Sequence, residues 1–81
     1  MANKKSGAVR DLIKKTRADL GMSQTKFAEY IGTTPAVLQR WESATTSPSG
    51  LMTARLIEVG VSVRDIIDAF EADAAAKLKE R

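Results

Sequence analysis

The sequence predicts an all-α fold of five helices in one compact domain, the fifth of them long, and three observations predict it. Apolar residues recur at helical spacing. The β-branched residues follow that spacing instead of alternating as they would along a strand. Gly, Ser, Thr and Pro punctuate the chain every ten residues or so. With 81 residues, 43% of them apolar, the chain has room for one small core and no second domain. A chain this short buries only about 60–65% of the surface its unfolded form exposes.

The elements follow in order. Val9, Leu12, Ile13, Thr16 and Leu20 lie on one face of a first helix that stops at Gly21, and the opposite face is basic. Ser23 can cap a second helix, Gln24 to Ile31, whose inward face is Phe27, Ala28 and Ile31 and which Gly32 ends in a left-handed turn. Thr34-Pro35 is a clear start signal for a third helix running to about Ser43. The threonine hydroxyl caps, and proline at the first helical position loses nothing by lacking an N–H. Val37, Leu38 and Trp41 anchor one side of this helix, while Ala36, Gln39, Arg40 and Ser43 form a polar stripe on the other. After a turn over Ala44 to Gly50, a fourth helix carries Leu51, Ala54, Leu56, Ile57 and Val59 up to Gly60. Ser62 and Asp65 have the spacing of a capping box and open a fifth helix with Val63, Ile66, Ile67 and Phe70 on one face. Its alanine-rich continuation keeps Ala74 and Leu78 in register with Phe70. The boundaries expected are a flexible basic arm over 1–7, a domain over 8–70 and a helical extension over 71–81.

Composition excludes whole classes of function. Without Cys or His there is no disulfide, zinc finger, thiol nucleophile or imidazole base, so the expectation is no enzyme, no metal and no cofactor. The carboxylates Asp65, Asp68, Glu71 and Asp73 invite a metal reading. Asp65 instead reads as a cap, and Asp68 to Asp73 as a solvated helix face. No apolar run approaches the roughly 20 residues that span a bilayer, and Met1 to Gly7 lacks the apolar core of a secretion signal. A cytoplasmic protein with no membrane partner is expected. The net charge of +3 is unevenly spread: up to Glu42 there are eight basic and four acidic residues, and beyond it five and six. A basic front and a near-neutral back suit a polyanionic partner.

The spacing of the second and third helices is the strongest signal. Gln24, Ala28, Gly32, Leu38 and Trp41 stand at successive intervals of four, four, six and three residues. Ala28 is small where two helices cross, Gly32 makes the tight turn, and Leu38 with Trp41 anchors the second of the pair. The product is a helix-turn-helix, whose second helix can enter a DNA major groove about 12 Å wide.

From Thr16 to Phe70, through "TRADLGMSQTKFAEYIGTTPAVLQRWES", "SPSG" and "EVGVSVRDII", the sequence resembles the phage-repressor and Cro-like (XRE-type) helix-turn-helix family. The resemblance implies the five-helix lambda-repressor-like fold and double-stranded DNA as partner. It places Gln24 as a phosphate contact with Ser23 beside it, and Thr34, Ala36, Gln39 and Arg40 as base-reading positions. Thr33, Pro35, Ser43 and Thr45 complete the DNA-facing set. It also places Arg17 and Glu42 as a structural pair joining the first helix to the end of the third. Pro35 and Ala36 replace polar side chains common at the tip of the reading helix, and Ala44 stands where glycine usually follows it.

Tyr30 either covers the rim of the core or meets a phosphate, and Lys14, Lys15 and Lys26 are either solvated or on phosphates. The function expected is a homodimeric repressor or autoregulator of a phage or bacterial operon, bound to a palindromic operator. The apolar stripe Val63, Ile67, Phe70, Ala74 and Leu78 exceeds what the small core can cover, and its C-terminal half would supply the self-contact. The "WES…SPSG" turn is also similar to small members encoded beside toxins of the RelE type. The alternative is therefore an antitoxin or co-regulator that binds a toxin partner and DNA secondarily.

Overall fold

The computed structural model describes residues 7–79 and places five helices there: α1 (Ala8–Asp19), α2 (Gln24–Ile31), α3 (Pro35–Glu42), α4 (Gly50–Glu58) and α5 (Val63–Lys79). Apart from Gly7, the predicted basic arm lies outside the described residues, as does the end of the C-terminal extension. The Ser23, Thr34 and Ser62 hydroxyls cap as expected, while the return bond from the Asp65 carboxylate to the Ser62 N–H that a capping box would add is not made among the described residues. Ser23 Oγ accepts from the Lys26 N–H, Thr34 Oγ1 from the Val37 N–H and Ser62 Oγ from the Asp65 N–H. Ser49 caps α4 through the Met52 N–H, so Gly50 belongs to the helix and not to the preceding turn.

The core is one cluster. Val9 and Ile13 of α1 meet Phe27, Ala28 and Ile31 of α2, Leu38 and Trp41 of α3, Leu56 of α4, Val61, and Ile66 and Ala69 of α5. α1 packs mainly on α5 and also on α3, and α2 packs on α3 and α4. This arrangement corrects three expected faces. α1 ends at Asp19 and leaves Leu20 exposed, because the chain turns at Gly21 before residue 20 can reach the core. Leu51 and Ala54 of α4 are exposed, and only Leu56 of that helix is fully buried. On α5 the inward line runs through Ile66 and Ala69, with Phe70 half-buried, so Val63 and Ile67 turn outward. Ala74 and Leu78, in the half of the stripe expected to lie outside the core, are exposed.

The larger correction concerns Asp73, expected on a solvated face. Its Oδ1 accepts from the N–H groups of Gly7 (2.9 Å) and Ala8 (2.8 Å), and its Oδ2 from that of Val9 (3.1 Å). The residue before α1 is a glycine with no side chain to cap with, so a carboxylate from α5 supplies the cap and its charge faces the positive helix end. Three otherwise orphaned donors depend on it. Asp73→Ala is expected to cost about 2 kcal/mol. A lower melting temperature, with faster amide exchange at Ala8 and Val9, checks this, and unchanged exchange there contradicts it.

Four helices end in one manner, with a left-handed residue whose N–H, and that of the next residue, bond back into the last turn. Gly21, Gly32 and Gly60 occupy that position in α1, α2 and α4. Gly32, at φ 84°, directs the Thr33 N–H to the Ala28 carbonyl (2.8 Å) and sets the angle between α2 and α3. After α3 the same geometry falls on Ala44, at φ 62°, with the Thr45 N–H on the Arg40 carbonyl at 2.9 Å. A Cβ in this region costs about 1–2 kcal/mol. Ala44→Gly is therefore expected to stabilise the domain by about 1 kcal/mol, less the added entropy of the unfolded chain. An unchanged or lowered melting temperature contradicts this.

Candidate nucleic-acid interface

α3 is held from behind. Leu38, Trp41 and Glu42 are buried, while Pro35, Ala36, Gln39 and Arg40 are exposed, with Ser43 continuing the exposed side. Among the described residues neither the Gln39 nor the Arg40 side chain has a hydrogen-bond partner or an ion pair. The Arg40 backbone is pinned instead. Its carbonyl accepts from the N–H groups of Thr45 and Thr46 and from Ser43 Oγ, and Ser43 Oγ lies 2.9 Å from Thr45 Oγ1. Exposed side chains on a fixed backbone suit the reading of an edge or a phosphate.

The expected site residues fall into two groups. Thr34, Pro35, Ala36, Gln39, Arg40, Ser43 and Thr45 are exposed on α3 and the turns that flank it, with half-buried Thr33 between Gly32 and the cap. Ser23 and Gln24 stand at the start of α2, where Ser23 is exposed and Gln24 half-buried. Lys26 and Tyr30 are exposed on the same helix, while Lys15 is tied to Asp19 at 2.7 Å.

Beneath this face lies a polar network whose extent sequence reasoning missed. Arg17 makes a bidentate pair with Glu42, Nε to Oε2 at 2.8 Å and Nη2 to Oε1 at 3.0 Å, and its Nη1 donates to the Met22 carbonyl at 3.1 Å. Gln24 Nε2 also donates to Glu42 Oε1, at 3.0 Å. The Glu42 side chain is only 4% exposed and that of Arg17 23%, so the pair is largely removed from water. Burial pushes the Glu42 carboxyl up. Hydrogen bonds from Arg17 and Gln24, with the charges of Arg17 and Lys14, outweigh that and hold it below its ordinary value. The hydrogen bond to Glu42 raises Arg17 in turn, against its own desolvation. The Arg17–Glu42 pairing was expected, but nothing in the spacing pointed to Gln24 as its third member.

A firmly seated α3 with an exposed polar row, set after α2 by a three-residue link containing Gly32, defines a DNA-binding transcription regulator. The helix-turn-helix family model matches residues 13–64, and the chain belongs to that family in its XRE, Cro-like form, a DNA-binding regulatory family and not an enzymatic one. No curated protein and no solved structure matches the chain. No helix among the described residues is long and apolar enough to cross a membrane.

Proposed function

We propose that the protein is a homodimeric, sequence-specific repressor or autoregulator of a phage or bacterial operon, reading a palindromic operator with α3 in the major groove. One observation carries the reading: Ala36, Gln39, Arg40 and Ser43 are exposed along one side of a helix whose other side, Leu38, Trp41 and Glu42, is locked into the core. Gln39 and Arg40 read base edges, while Ser23, Gln24, Thr33 and Thr45 hold backbone. Footprinting on the region upstream of its own gene tests this. Protection of two half-sites related by a dyad is the expected result, and no protected stretch overturns it.

Dimerisation is argued from reach. One helix-turn-helix contacts only a few base pairs, so useful affinity takes two copies on half-sites roughly 34 Å apart. Val63, Ile67 and Leu78, which are 52%, 46% and 66% exposed, lie on one side of α5 with Ala74 between them and suit a self-contact. Sedimentation is expected to find a dimer at tens of micromolar or on DNA, and a monomer in both conditions overturns it. A monomer that co-purifies with the product of a neighbouring RelE-type toxin gene would move the reading to an antitoxin.

A further inference from the structure

We propose that buried Glu42, which lies behind the reading helix, is a positioning residue for DNA binding, because it orients the Gln24 amide that meets a backbone phosphate. The inference rests on the reading of Gln24 as a phosphate contact and adds what holds it in place. Glu42 is among the most buried polar residues of the domain, and its carboxylate accepts three hydrogen bonds. Two come from Arg17 and fasten α1 to the end of α3. The third comes from Gln24 at the first position of α2, the edge of the face where DNA would lie.

An ionised carboxylate can only accept, so the amide must present Nε2 to it. That choice turns Oε1 away and leaves one N–H for a phosphate oxygen. A glutamine free in solution would sample many rotamers and both amide orientations, with the oxygen facing a phosphate in half of them. The bond to Glu42 removes that freedom before DNA arrives, and preorganisation of this kind raises affinity without adding a contact. Arg17 belongs to the same device. Its bonds to Glu42 and to the Met22 carbonyl fix the carboxylate against the α1–α2 turn, just ahead of Ser23 and Gln24.

The test separates positioning from stability. Arg17→Met with Glu42→Leu replaces the ion pair by apolar side chains of similar volume, an exchange that buried pairs commonly tolerate, and Trp41 fluorescence reports that the domain is folded. Affinity is measured on a mixed-sequence duplex of about three helical turns, because a phosphate contact is indifferent to sequence. Gln24→Ala should weaken binding roughly three- to tenfold in the unmodified protein. In the Arg17→Met/Glu42→Leu background it should cost less than about twofold. Glu42→Gln keeps an accepting carbonyl, and with it the Gln24→Ala penalty should persist.

An equal Gln24→Ala penalty in both backgrounds overturns the proposal and leaves the phosphate contact standing. No penalty in the unmodified protein removes the contact and the proposal together. A salt dependence shallower by about one in the double variant makes Arg17 itself the phosphate ligand, and that also overturns positioning by Glu42.

Discussion

Glu42→Ala is expected to destabilise the domain by about 3 kcal/mol, which for a chain of this size lowers the melting temperature by on the order of 15 °C. The penalty comes from what stays behind. Arg17 would keep only the Met22 carbonyl as acceptor, in a site where its side chain is 23% exposed. That partial exposure places the effect near the low end of the range for broken buried pairs, since water can reach part of the guanidinium. Glu42→Gln should fall between the wild type and Glu42→Ala, because it retains neutral acceptors at the same place.

The acid limb of stability carries the same signature. In the folded chain the Glu42 carboxyl lies below its ordinary 4.5, so its contribution is fully present above that pH and is lost as the pH falls through the lower, folded value. Unfolding of the wild type followed below pH 4.5 should show this loss, and Glu42→Gln should lack that part of the slope. A Glu42→Ala protein that melts with the wild type but no longer binds DNA would make the pair functional instead of structural.

What could be read in the sequence, and what could not, divides by the distance over which each interaction acts. Ser23, Thr34-Pro35 and Gly32 act on their own helix ends, and these signals placed α2 over Gln24–Ile31 and the start of α3 at Pro35. The Asp73 cap joins residues more than sixty positions apart, and no local pattern marks a carboxylate as bound for another helix. The face of α5 was misread for a related reason. Val63, Ile66, Ile67 and Phe70 all fit one broad apolar stripe, and only the position of α1 decides that Ile66 and Ala69 lie inward while Val63 and Ile67 lie outward. Within the site, the exposed row on α3 followed from helical spacing alone. Gln24 could be placed beside DNA by resemblance, yet its bond to Glu42 depends on how α2 and α3 cross.

Arg40→Ala is expected to weaken operator binding by roughly tenfold or more while leaving binding to random DNA within a few-fold. A guanidinium can offer a two-pronged contact to guanine O6 and N7, and each such contact discriminates by about 1–3 kcal/mol. Arg40 meets the structural conditions for that role. Its side chain is exposed, has no partner among the described residues, and leaves a backbone whose carbonyl three donors hold in place. Pro35 and Ala36 offer no side-chain donor at the tip of α3, so in the proposed reading hydrogen-bonded contacts would shift to the middle of the helix, where exposed Gln39 stands beside Arg40 and its amide can pair with adenine N6 and N7. Gln24→Ala should behave differently and weaken operator and random DNA together, because a phosphate carries no sequence information. Measuring both variants on both DNAs at one salt concentration separates the two classes. If Arg40→Ala lowers the two affinities by the same factor, Arg40 is a phosphate clamp, and base reading must come from Gln39 and the methyl-sized contact that Ala36 can make.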